Sequence, residues 1–175
     1  MSEAAQVALA PIVRLRGVSK AYFRAGMRLP VLEHVDLEIA EGSFIAFMGP
    51  SGSGKSTLLN LISGLDRPTE GVVEVAGRDL GRLSDGELAE WRAANVGFIF
   101  QLYNLIPVLT AAENVELPLL LAPLDRAERR RHVAAALDLV GLTPRVHHRP
   151  AQLSGGEQQR VAIARAIVTD PRLII

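Results

Sequence analysis

The stretch "GPSGSGKST" (Gly49–Thr57) decides the fold. It fits G-x-x-x-x-G-K-[ST] in full, and its flanks suit it. The preceding "SFIAFM" (43–48) reads as a compact buried strand, and Lys55 to Ser63 reads as a helix ended by Gly64. Strand, glycine loop and helix together predict a phosphate nest. The glycines allow successive backbone N–H groups to turn inward, and the helix directs its positive end at the same point. Gly49, Ser51, Gly52, Ser53, Gly54, Lys55, Ser56 and Thr57 are therefore the nucleotide-binding candidates. Lys55 would reach the β- and γ-phosphates as a point charge, and the Ser56 hydroxyl would ligate Mg²⁺. The competing reading, a glycine-rich turn carrying a surface lysine, is disfavoured because pattern and context are both met.

Upstream, "IVRLRGV" and "HVDLEIA" alternate as strands do, and downstream "GVVEVAG" is a strand bounded by glycines. Ser84 with Glu87 forms a capping box that opens a short helix through Trp91, and "VGFIF" reads as a buried strand ending at Gln101. The character then changes. Thr110 with Glu113 makes a second capping box, and Asp125 to Val140 reads as a longer helix closed by Gly141. Residues 102–150 thus form a helical insertion between 12–101, a β-subdomain with the phosphate-loop core, and 151–175, a further helix with the start of a strand. Arg126, Arg129 and Arg130 share a helical face, but Glu128 and Asp138 interrupt the charge, which favours a solvated face over a phosphate site. His147 and His148 are adjacent and have no third ligand nearby in sequence, so metal binding is disfavoured.

Composition bounds the function. With 49% hydrophobic and 22% charged residues, the 175-residue chain can bury one substantial core. Lys and Arg total 19, as do Asp and Glu, so nothing points to a nucleic-acid partner and any anion must be caught locally. There are no cysteines, which excludes disulfides and thiolate zinc and is compatible with a reducing cytoplasm. "MSEAAQVALAP" lacks the charge and apolar core of an export signal. The greasiest run, 117–124, contains Pro118 and Pro123 and falls well short of the ~20 residues a spanning helix needs.

The closing segment, "LSGGEQQRVAIARAIVTDPRLII" (153–175), separates a phosphate loop of one kind from the many others. Ser154 and Glu157 make a third capping box beneath the apolar stripe Val161, Ile163, Ala164 and Ile167. That box leaves Gly155 and Gly156 as unexplained losses of roughly 1 kcal/mol each against alanine. Side-chain-free positions at a helix start make sense where an anion must approach the backbone. The chain then carries two anion-binding helix starts about a hundred residues apart. Either both converge within one molecule, or each completes a site on a second copy.

In this order, "GPSGSGKST", a strand ending "FIFQ", and "LSGGEQQRVAIARAIV" resemble the ATP-binding subunits of ABC transporters. "GLDRPTEG", "FIFQLYNLIPVLTAAENVELPL" and "HHRPAQLSGGEQQRVAIARA" further resemble the lipoprotein-releasing and macrolide-export subgroup. The resemblance implies an α/β P-loop NTPase of ABC ATPase type. Such a domain has a mixed or parallel sheet core, an N-terminal antiparallel β-subdomain and a helical subdomain insertion. It also implies ATP and Mg²⁺ as cofactors, a second ATP-binding subunit (a homodimer), an integral membrane permease, and attachment to the cytoplasmic face of the membrane. Tyr22 matches the aromatic that stacks on adenine, although a packed strand residue is the alternative and Phe23 could take either part. Gln101 matches the glutamine that touches Mg²⁺ and attacking water. Ser154 and Gly156 match the signature positions that close over the γ-phosphate bound by the other protomer, and Gly155 between them is a further nucleotide-binding candidate. Glu157 stands where the family often has glutamine, which puts its ribose contact in doubt. "LYNLIP" (102–107) falls where the family docks a membrane partner, with ordinary packing the alternative.

The family continues "PRLII" into an aspartate, a glutamate and a later histidine that complete hydrolysis, so the resemblance makes these residues a fragment of a longer ATPase. It implies little turnover and poor solubility for the 175-residue chain alone. The other readings are an ABC-type ATPase without a transport role, serving division, repair or translation; a non-hydrolysing nucleotide-binding module; and a P-loop kinase, which has no use for "LSGGE".

Overall fold

A computed structural model describes residues 11–175, and it divides into two compact units, the first running to Leu88 and the second spanning Ala89–Ile175. The stretch read for an export signal lies mostly outside the described residues.

In the first unit, β1 (Pro11–Arg24), β2 (Met27–Ala40), β3 (Glu70–Val75) and β4 (Arg78–Asp79) form an antiparallel sheet in the order β2-β1-β3-β4. The expected N-terminal antiparallel sheet is therefore present. Register is set by the valine and leucine rows: Val13 lies opposite Ile39 and Val75, and Leu15 opposite Leu37 and Val73. Val13, Leu15, Val73 and Val75 are buried, and this pins the register, because a one-residue slip would turn the set out to water. Helix α1 (Lys55–Ile62) packs on β2 and β3 and buries Leu58, Leu61 and Ile62, each such side chain worth ~1.5–3 kcal/mol. Its end falls where the sequence puts it, with Gly64 at φ 69° beyond the cap Ser63.

Helix α2 (Asp85–Asn95) follows the Ser84–Glu87 pair, in which the Ser84 N–H and hydroxyl both donate to Glu87 Oε2 at 2.8 and 2.7 Å. It runs four residues past Trp91, the expected end, and the Asn95 side chain donates to the Trp91 carbonyl in its last turn.

The second unit is mainly helical. α3 (Ala111–Glu116), α4 (Arg126–Leu139) and α5 (Gly155–Ile167) pack around Val115, Leu137, Val161 and Ala164. Each begins at a reciprocal capping box: Thr110 with Glu113, Asp125 with Glu128, Ser154 with Glu157. Beside them β5 (Val96–Gly97) pairs in parallel with β6 (Leu173–Ile174), and the Ile99 amide donates to the Ile175 carbonyl at 2.7 Å. Gly97 is required here: a Cβ would lie 2.1 Å from the Ala166 carbonyl oxygen of α5.

Two expected strands differ. Residues 43–48 are not a strand, and Phe44 and Met48 are 99% and 91% exposed. β5 covers only the first two residues of "VGFIF", leaving Phe100 exposed. An apolar run signals burial, but a strand exists only where a neighbour supplies a ladder, and no described strand pairs with 43–48.

Candidate functional site

The phosphate-loop candidates sit together at the start of α1. Gly54 occupies the N-cap at φ 86°, a left-handed conformation, and no side chain caps this helix. A Cβ on Gly54 would lie 2.8 Å from Leu32 Cδ2 and 3.1 Å from the Val31 carbonyl oxygen, so glycine is imposed by both conformation and space. Gly49 is confined similarly, since its Cβ would meet Ser53 Oγ at 2.9 Å. Gly52 also has a positive φ, and Ser51, Ser53 and Ser56 are exposed. The Lys55 ammonium folds back to donate to the carbonyls of Gly49 and Pro50 at 2.7 and 2.8 Å and to Ser53 Oγ at 3.3 Å. An uncapped helix start, glycines at positive φ and an ammonium held by neutral acceptors fit a polyphosphate. Among the described residues, no group of three or more His, Cys, Asp or Glu could hold a metal ion. A hard cation here would share the Ser56 hydroxyl with phosphate oxygens, a donor set suited to Mg²⁺.

Tyr22 belongs to the same place. It is 41% exposed rather than packed in the core, and its hydroxyl donates to Asp66 Oδ2 at 2.8 Å, with the Thr57 side chain nearby. Burial and then the Asp66 carboxylate push the Tyr22 hydroxyl above its ordinary pKa. Burial would raise the Asp66 carboxyl, but hydrogen bonds from Lys20, Tyr22 and the Arg67 amide outweigh it and hold it below the usual value. Phe23, the other aromatic candidate, is more exposed still at 71%.

The remaining candidates lie in the second unit. Gln101 is exposed in the turn after β5. The backbone just beyond it is strained: Tyr103 and Asn104 both have positive φ, at 58° and 48°. Arg165 of α5 holds that segment, donating to the carbonyls of Tyr103 and Asn104 at 2.6 and 2.7 Å, with its guanidinium 5.9 Å over the Phe100 ring. Burial lowers the Arg165 pKa. Further on, buried Asn114 accepts from the Ile106 amide and donates to the carbonyls of Ile106, Leu109 and Thr110, fixing the rest of "LYNLIP". Leu102, Ile106 and Val108 stay exposed.

At the start of α5, the Ser154 amide donates to Glu157 Oε2 at 2.8 Å, the Glu157 amide to Ser154 Oγ at 3.3 Å, and Arg145 to Glu157 Oε1 at 3.1 Å. Gly155 and Gly156 are exposed, and neither has a positive φ. The nearest atom to a Cβ on Gly155 is Tyr103 Oη at 4.0 Å, and on Gly156 it is an Arg160 guanidinium nitrogen at 3.8 Å. Nothing within the described residues requires glycine at either position. Reading residues alone missed Lys20, Asp66, Asn114 and Arg165. Only Asn114 left a signal, as a polar residue three positions from Ala111 and next to Val115, on the face of the helix that carries its apolar residues.

Residues 32–175 match the ABC transporter family. An uncharacterized ABC transporter ATP-binding protein of Thermotoga maritima is 49% identical over 164 residues, covering 94% of this chain and 70% of that protein. A macrolide export ATP-binding/permease protein, MacB, of Paracoccus denitrificans is 49% identical over 95% of this chain, which spans 25% of that longer protein. Among solved structures, the ATP-binding cassette MJ0796, a dimer in a post-hydrolysis state bound to ADP and Pi, superposes with a TM-score of 0.83 at 47% identity, covering 93% of this chain and 72% of that one. The chain belongs to the ABC transporter family and is an α/β P-loop ATP-binding domain of the ABC ATPase type. Among the described residues, no helix is long and apolar enough to cross a membrane.

Proposed function

We propose that this chain is the ATP-hydrolysing subunit of an export or lipoprotein-release transporter, and that a second copy completes its nucleotide site. The observation that carries this reading is the pair Gly155 and Gly156, open at a helix start and demanded by nothing among the described residues. A helix start with its side chains removed is a surface that something anionic approaches from outside. The MJ0796 cassette, a dimer with ADP and Pi, supports that arrangement.

In this reading the loop 49–57 wraps the phosphates, and Lys55 leaves the carbonyls of Gly49 and Pro50 to donate to the β- and γ-phosphate oxygens. Tyr22 lies under adenine, and Ser56 and Gln101 would hold Mg²⁺, which would supply charge neutralisation on the phosphate oxygens. Gln101 orients water, and Ser154, Gly155 and Gly156 donate to the γ-phosphate held by the other copy. A permease partner is supported by the MacB relative, whose name joins ATP-binding and permease functions in one protein. Exposed Leu102, Ile106 and Val108, which follow Gln101, suit such a partner better than an ATPase acting in water alone. The chain would then work at the cytoplasmic face of a membrane.

Sedimentation of the chain with ATP and Mg²⁺ tests the shared site. Association that requires ATP, and that Gly156→Asp abolishes while ATP still binds, is the expected result. Association indifferent to nucleotide, or unaffected by Gly156→Asp, overturns the proposal.

A further inference from the structure

We propose that Lys20 and Asp66 form a positioning pair that sets the plane of the Tyr22 ring before nucleotide arrives, so that one carboxylate organises the base-binding platform. The inference rests on the reading of Tyr22 as the residue beneath adenine. Tyr22 lies near the end of β1, followed by exposed Phe23 and Arg24, where an aromatic ring with no partners would rotate freely. It is fixed instead. Asp66 uses both oxygens: Oδ2 accepts from the Tyr22 hydroxyl at 2.8 Å, and Oδ1 accepts from the Lys20 ammonium at 2.6 Å. The same ammonium donates to the Arg67 carbonyl at 2.8 Å and lies 4.9 Å from the Tyr22 ring centroid.

The Lys20 side chain is only 12% exposed, so this is a built-in contact rather than a solvated surface pair. One face of the ring is thereby assigned to the cation, and the opposite face is left for a base. The segment that carries Asp66 is itself stitched to β1. The Thr69 amide donates to the Ser19 carbonyl at 2.9 Å, and the Ala21 amide donates to Thr69 Oγ1 at 3.0 Å. "GLDRPTEG" therefore acts as a strap that holds Asp66 against Lys20 and Tyr22. A ring locked in place loses no rotamer freedom on binding, which gives a stacked base more net affinity.

Titration calorimetry with two ligands, ATP and inorganic triphosphate, tests the pair, because only ATP reports on the base. Tyr22→Ala is expected to weaken ATP about five- to a hundredfold. Asp66→Ala and Tyr22→Phe are each expected to weaken it about three- to tenfold, with triphosphate affinity unchanged in all three. The double variant Tyr22→Phe/Asp66→Ala is expected to be no weaker than the worse single variant, since both break one bond. If Tyr22→Ala weakens ATP while Tyr22→Phe and Asp66→Ala do not, the positioning pair is wrong and the platform stands. If Tyr22→Ala leaves ATP unchanged, the platform reading itself falls, and the pair with it. Equal losses for ATP and triphosphate, or additive losses in the double variant, reduce Asp66 to general support of the fold and overturn the proposal. Tyr22→Phe removes only one oxygen at a half-exposed position, so the test survives if Asp66→Ala fails to fold.

Discussion

The starts of α1 and α5 both carry glycine, yet they meet opposite demands. At α1 the chain itself requires it: Gly54 is left-handed, and Leu32 and the Val31 carbonyl fill the space a side chain would take. At α5 nothing among the described residues requires glycine at 155 or 156, where φ is ordinary and the surroundings are open. The caps are reversed as well. α1 has no side-chain cap and holds its lysine back on its own loop carbonyls, whereas α5 is closed by Ser154 and Glu157 and braced by Arg145. One start is shaped as a receptacle for an anion and the other as a finished helix end with its surface stripped bare. A glycine enforced from inside reports on folding, and one left free from inside reports on what comes from outside.

The sharpest way to break this contrast is to put alanine at each start. Gly54→Ala forces a Cβ into left-handed backbone, at ~1–2 kcal/mol for conformation alone, with the Leu32 contact adding to it. The expected outcome is a clear fall in unfolding free energy together with loss of ATP binding. Gly156→Ala meets no such obstacle and is expected to leave thermal stability level or raised by up to ~1 kcal/mol, the ordinary helix-propensity gain. Equal destabilisation by both substitutions, in calorimetry or chemical denaturation, would erase the distinction.

Next in size is Lys55→Ala. Because the lysine bonds only acceptors of its own loop, it is expected to matter more for ligand than for fold. ATP affinity is expected to drop about ten- to a hundredfold, the worth of a charge-assisted bond to phosphate, with a small change in melting temperature. A variant that binds ATP normally but melts early would make Lys55 a loop staple instead.

The phosphate loop, the capping boxes and the outer antiparallel strands were legible because each is a local rule: a spacing, a pair three residues apart, an alternation. Residues 43–48 and the end of "VGFIF" were not, because their greasiness says nothing about which ladder they join. The surroundings of Tyr22 were half legible. The aromatic could be picked out by resemblance, but Lys20 and Asp66 are 46 residues apart in sequence and meet only after β1 and the "GLDRPTEG" strap are stitched together. Arg165 was hidden for the same reason: its partners, the Tyr103 and Asn104 carbonyls, are backbone atoms 62 and 61 residues away, and a carbonyl leaves no mark on a sequence.

The smallest effect expected concerns the finished end. Glu157 stands where the family often has glutamine, and its carboxyl is held below the ordinary value of 4.5 by the Ser154 amide first, then by the Ser154 hydroxyl and Arg145. A carboxyl lowered in the folded state contributes stability that is complete above its ordinary value and fades as pH falls through the lowered one. Glu157→Gln removes that charge but not the cap, since an amide oxygen can accept the same bond, as Gln152 does from the Arg149 amide at 2.9 Å. The variant is therefore expected to melt slightly earlier than the parent near neutral pH and to converge with it as both are acidified from about pH 6 to about pH 3. A gap that persists at low pH would mean that Glu157 acts through geometry alone. If the gap closes while ATP-dependent association is undiminished, the charge serves the helix and the bare glycines beside it serve the second copy.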